Sequence, residues 1–275
     1  MPTPATHLAL AQEMLRRNDL SPAARRLLKD QQGPFLLGHT APDVKTVSGQ
    51  ERETSHFYTI PRTSDRPAYQ ALFDAHPELA CADRLSTSQA TFVAGYIAHL
   101  SLDELWLDEV FRRYFLQDWG PLRDRLFLHN VLRTWLDAQD RASLEETAVQ
   151  ELRQAELDHW LPFIEDEHLR TWRDWLIEQL APGQTMETAA VFAERLGVQT
   201  ADIEAVVQSP GQMEKRVFGH FPRYALHFFR EQGYKDSVRI VDWYLGGPAV
   251  GPGQGLSSDP GRCQSMDVSA TQETR

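Results

Sequence analysis

Cysteine is nearly absent. Cys81 and Cys263 are the only two in 275 residues, so no disulfide framework is expected, a thiolate metal site is excluded, and a reducing, cytoplasmic setting is the expectation. There is no run of about 20 apolar residues, which predicts no membrane-spanning helix. The N-terminus, Met1-Pro2-Thr3-Pro4-Ala5-Thr6-His7, passes into a segment carrying Glu13, Arg16 and Arg17 with no apolar stretch of signal-peptide length. Positive charge is also scarce. The 28 Lys and Arg stand against 39 Asp and Glu for a net charge of -11, which argues against general affinity for nucleic-acid backbone or an anionic membrane. G-x-S-x-G, G-x-x-x-x-G-K-[ST] and H-E-x-x-H are all missing. The glycines after Leu245 have no following helix to receive a phosphate. An adjacent His-Asp pair of the HD-phosphohydrolase kind is missing as well, because Asp158-His159 runs in reverse order.

Helical periodicity is what the chain does have. Leu8, Ala11 and Leu15, then Ala23 and Leu27, recur at helical spacing, with Ser21 as a cap and Pro22 opening the second piece. Residues 31–66 hold scattered Gly and Pro with no sustained period and are expected to be a long functional loop. A helix is predicted from Ser86 to about Asp118. Others follow from Pro121 to about Gln139, from Ser143, from Glu165 to Leu180 and from Thr185 to Leu196, with two or three more between Thr200 and Leu245. No segment alternates with period two. The expected fold is all-α, with eight to ten helices in one bundle-like domain over residues 1–245 and a disordered Gly/Pro/Ser-rich tail over 246–275. The seven tryptophans fall mostly at helical spacing and are read as core.

One feature resists a purely structural reading. His99 and Asp103 stand four residues apart in the most apolar stretch, and on a helix they share a face with Phe92, Tyr96, Trp106 and Val110. An ionised carboxylate aimed into a core needs protonation, an ion pair or a metal. Nothing basic lies nearby on that helix, so a metal is expected. His7, His39, Asp43 and His56 lie upstream as candidate partners, and such nitrogen and oxygen donors suit Zn²⁺ or a similar divalent transition metal. Taken singly, His39, His76, His129, His159, His168, His220 and His227 are read as satisfied or surface histidines.

The order Thr6-His7, Leu36-Leu37-Gly38 leading to Ala41-Pro42-Asp43, Ser55-His56-Phe57 and Ala94-Gly95-Tyr96-Ile97-Ala98-His99 with Asp103 resembles the zinc-dependent phospholipase C family. The likeness covers about residues 1–110. It implies an all-α fold shared with fungal single-strand nucleases, one zinc on Asp43, His56, His99 and Asp103, and a second reached by Asp103 as a bridge and held by His7. The later ligand pair has no counterpart: His129, His159 and His168 are followed four residues on by Arg133, Phe163 and Trp172. One or two ions are therefore expected. The implied activity is metal-dependent hydrolysis of a small phosphoester or a phospholipid, with Asp43 or Asp103 taking the proton of the attacking water. The competing expectation is a helical binding or scaffold protein whose metal, or His/Asp network, ties the long loop to the bundle.

Overall fold

The computed structural model describes residues 1–181 and 187–246, and they form helices joined by short turns, with no strand among them. In chain order the α-helices are α1 (Pro4–Arg16), α2 (Pro22–Lys29), α3 (Gln32–Gly38), α4 (Lys45–Ser48), α5 (Arg52–His56), α6 (Ala68–Ala75), α7 (Thr87–Trp106), α8 (Leu122–Ser143), α9 (Glu146–Arg153), α10 (Asp166–Gln179), α11 (Thr188–Leu196), α12 (Thr200–Val207), α13 (Pro210–Gln212) and α14 (Arg223–Tyr244). The all-α expectation holds. The tail predicted over 246–275 lies outside the described residues from position 247 onward.

Local signals set the helix ends. The Ser21 hydroxyl accepts from the Ala24 amide at 3.2 Å with Pro22 in the first turn, and Ser86 accepts from Gln89 in the same way. Beyond Trp106 the helix continues in wide π turns over Leu107–Phe115 and ends there, ahead of Gly120-Pro121, where Pro121 precedes the first turn of α8. The expected loop over 31–66 is instead mostly short helices: α3, a 3-10 turn over Ala41–Val44, α4 and α5. Gly33 and Gly38, read as breakers, serve as contact points. A Cβ on Gly38 would collide with the Phe92 carbonyl, and one on Gly95 would collide with the Phe35 carbonyl. Tertiary contact therefore overrides their weak helix propensity. α3 lies backbone against backbone on α7.

α7 is the central element. Phe92, Tyr96, Trp106 and Val110 are fully buried on it, and its neighbours are α3, α6 and α14. Each such side chain removed from water contributes about 1.5–3 kcal/mol. Trp106, Trp160 and Trp172 are core residues and the other four tryptophans are partly buried against it. No helix among the described residues is long and apolar enough to cross a membrane. Cys81 is disulfide-bonded. The expectation of a chain without a disulfide fails.

Candidate metal centre

Five residues that are far apart in the chain meet at the α3–α7 junction. α1 brings His7, the 3-10 turn brings Asp43, α5 brings His56, and α7 brings His99 and Asp103 one turn apart. His7, His56, His99 and Asp103 are completely buried, while Asp43 keeps 20% of its side chain exposed. Around Asp103, His7 Nε2 lies 3.5 Å from Oδ1, His56 Nε2 3.5 Å from Oδ2 and His99 Nε2 3.8 Å from Oδ2. His56 Nε2 is also 3.6 Å from an Asp43 oxygen. These separations exceed hydrogen-bond length.

The second nitrogen of each ring tells what the first presents. His99 Nδ1 is 2.8 Å from the His39 carbonyl, which can only accept, so Nδ1 carries the proton and Nε2 turns a lone pair toward Asp103. His56 repeats the logic. Its Nδ1 lies 3.0 Å from the Ser55 hydroxyl, whose proton goes to the Pro42 carbonyl at 2.8 Å, so His56 Nδ1 donates and Nε2 is a bare lone pair. The Tyr96 hydroxyl holds this turn by donating to the Ser55 carbonyl at 2.5 Å. Lone pairs thus face carboxylate oxygens, an arrangement that repels unless a cation or proton stands between them. His7 Nε2, His56 Nε2, His99 Nε2 and Asp103 Oδ1 are accordingly buried without a hydrogen-bond partner. Bonds of about 2.0–2.2 Å to a zinc-like ion place neighbouring ligands roughly 3–3.5 Å apart, within a few tenths of the distances found here. The donor set fits a divalent metal.

Protonation states agree with that geometry. Burial pushes the His99 ring down to about 3, helped by the neighbouring His7, whose ring stacks on it at 3.8 Å between centroids. For Asp103, burial acts to raise the pKa, but His99, His7 and His56 outweigh it and hold the carboxyl well below its usual range. Asp43 is lowered in the same way, with burial opposed chiefly by His56.

Every expected ligand is in the cluster, and three further residues belong beside it. Arg52, from α5, donates to Asp103 Oδ2 at 3.0 Å and to the Tyr58 hydroxyl at 2.6 Å, and Tyr58 itself donates to Asp103 at 3.3 Å. The expectation that Asp103 has no basic partner therefore holds along α7 but not in space: Oδ2 is shared by Arg52, Tyr58, His56 and His99, and Oδ1 faces His7 alone. Spacing does hold a trace of Arg52, which precedes His56 by one helical turn. His39, read as an ordinary satisfied histidine, is buried with both ring nitrogens unpartnered, packs edge-on to Phe35 and has its pKa depressed by burial and by His7 and His99. By contrast His129 accepts from the Trp106 indole at 3.0 Å, as a satisfied core histidine should.

Comparison with protein-family models, with curated proteins and with solved structures yields no match.

Proposed function

We propose that this protein is a metal-dependent hydrolase of phosphoesters, resembling phospholipase C in its ligand set, with zinc or a similar divalent transition metal on Asp43, His56, His99 and Asp103 and a second ion between Asp103 and His7. The observation that carries the reading is the set of inward lone pairs left unpartnered around a buried, ionised carboxylate. A metal there supplies Lewis acidity and an activated water near neutral pH. Asp103 offers one oxygen to each side of the cluster, Oδ2 toward His56 and His99 and Oδ1 toward His7. Asp43 alone among the five reaches solvent, so it is the group placed to take the proton of the attacking water and pass it outward. As the water oxygen bonds to phosphorus, the ester P–O bond breaks and the departing alkoxide gains a proton.

The partial exposure of Asp43 favours catalysis over a closed structural site. A non-catalytic metal or His/Asp network, the scaffold reading, draws support from Arg52, which already compensates one oxygen of Asp103. Elemental analysis with a turnover assay decides. The expected result is one to two equivalents of metal per chain and chelator-sensitive hydrolysis of p-nitrophenyl phosphate or bis-p-nitrophenyl phosphate. Metal without turnover of any phosphoester in a broad panel makes the centre structural, and folded protein that takes up no metal refutes both metal readings.

A further inference from the structure

This inference rests on the metal-hydrolase reading and concerns its substrate. Arg52 is held at the cluster by Asp103 and Tyr58, with its guanidinium over the Tyr58 ring at 4.4 Å, yet its Nη1 is buried and has no hydrogen-bond partner. A guanidinium presents five donors in a planar fork, and leaving one side unmade in a buried setting is costly. Arg133, from α8, shows the same deficit. Its Nη1 donates to Asn130 at 2.9 Å and its guanidinium lies on the Phe192 ring, but Nε is buried and unpartnered.

These cations share one neighbourhood. Lys45 follows Asp43 by two residues and is partly buried. It feels the charges of Asp43, Arg52 and Arg195, whereas Arg133 feels Asp43, Arg195 and Asp103. Burial pushes Arg133 down to about 10, which leaves it charged at neutral pH. Lys45, Arg52 and Arg133 thus each lie within electrostatic reach of Asp43 in a chain of net charge -11, as does the Met1 amine, and they are opposed by Glu53, which is felt by Lys45, and by Asp137, which is felt by Arg133. Large apolar residues that reach the surface are few among the described residues. The large exposed apolar residues are Ile60, Leu116, Leu122, Tyr224 and Phe228, and only Ile60 belongs to the segment that follows His56. A bilayer-borne substrate calls for more apolar surface than that.

The geometry points to a small, soluble phosphomonoester as the substrate, its dianionic phosphate received by the unpartnered Nη1 of Arg52 with Lys45 and Arg133 adding positive charge nearby. Arginine suits this role because its fork engages two phosphate oxygens at once, and a monoester offers more free oxygens and more negative charge than a diester. Arg52 and His56 ride one turn apart on α5, so the cation meant for phosphate and a ligand meant for metal are set by the same short helix.

The test uses the full chain loaded with zinc. Titration calorimetry with inorganic phosphate, and kcat/KM for p-nitrophenyl phosphate against bis-p-nitrophenyl phosphate, are measured for the wild type, Arg52→Gln and Lys45→Gln, with zinc content measured on each. The wild type is expected to prefer the monoester by about 10-fold or more. Arg52→Gln should weaken phosphate binding by about 10- to 100-fold, the worth of a charge-assisted pair, and lower monoester turnover more than diester turnover. Lys45→Gln, which does not touch Asp103, should weaken phosphate binding by about 2- to 5-fold. If Arg52→Gln loses zinc, Lys45→Gln decides alone. Full zinc uptake with phosphate affinity indifferent to these cations, or a wild type that prefers the diester, overturns the inference. Absence of zinc uptake is a failure of the metal reading, and phosphate titration of the metal-free chain then judges these cations by themselves.

Discussion

α1 borders two buried polar clusters, and they are built on opposite principles. On one side Asp140 of α8 receives the Thr6 hydroxyl on one oxygen and Arg230 on the other, each at 2.7 Å. About three turns away on α8, His129 accepts a hydrogen bond from the Trp106 indole. Donor meets acceptor throughout, as buried polar groups normally do. On the other side, one residue along from Thr6, His7 Nε2 lies 3.5 Å from Asp103 with neither of its ring nitrogens hydrogen-bonded, while His56 and His99 face the carboxylate acceptor to acceptor. Both clusters bury an aspartate, so burial alone says nothing about function. What separates them is whether the polar atoms already have complementary partners.

The contrast is sharpest in Asp103→Ala and Asp140→Ala. Removing Asp103 should abolish metal binding and lower phosphoester turnover by about 100-fold or more, whereas removing Asp140 should leave metal content intact and cost roughly 1–3 kcal/mol through the unpaired Thr6 and Arg230. Thermal melting with elemental analysis reads both, and equal metal content in the two variants erases the distinction. Next in size is Gly95→Ala. The added methyl meets the Phe35 carbonyl and the His39 amide across the α3–α7 contact, so a loss of about 1–3 kcal/mol is expected, with weaker metal retention as the His39 carbonyl shifts away from His99. Unchanged stability would mean that the two helices do not sit so close.

Acid should weaken the metal-free protein. His39, His99 and His129 have folded pKa values below their ordinary 6.5, each chiefly through burial. The unfolded chain therefore binds more protons below about pH 6.5, and stability that is full above that value is lost as pH falls toward 3. Glu104, raised to about 7 by burial despite its pairing with Arg62, opposes this between 4.5 and 7, and Asp137, raised chiefly by burial, acts in the same direction, but they are two groups against three. The melting temperature should fall steadily from pH 7 to pH 5, and a flat profile counts against neutral buried imidazoles. The smallest effect belongs to His7→Ala, which should remove one equivalent of metal and leave the other, since His7 alone faces Asp103 Oδ1. No change in stoichiometry would make His7 a packing residue and the centre mononuclear.

Helix periodicity and the Ser21-Pro22 and Ser86 starts are local quantities, and the structure follows them closely. His99 and Asp103 were legible as a pair for the same reason, because spacing along one helix is set by the backbone. Residues 31–66 were misread as loop. Their glycines gain their meaning from α7 and α9, against which Gly38 and Gly33 pack, and no local signal carries that contact. Tertiary structure likewise decided that Arg52 stands against Asp103, that His39 is buried with both nitrogens unpartnered while His129 is satisfied, and that Asp43 alone keeps a route to water. The physical division is between short-range and long-range terms: propensity and capping act within a few residues, whereas whether a buried charge finds a donor, a lone pair or a metal depends on partners brought in by other helices.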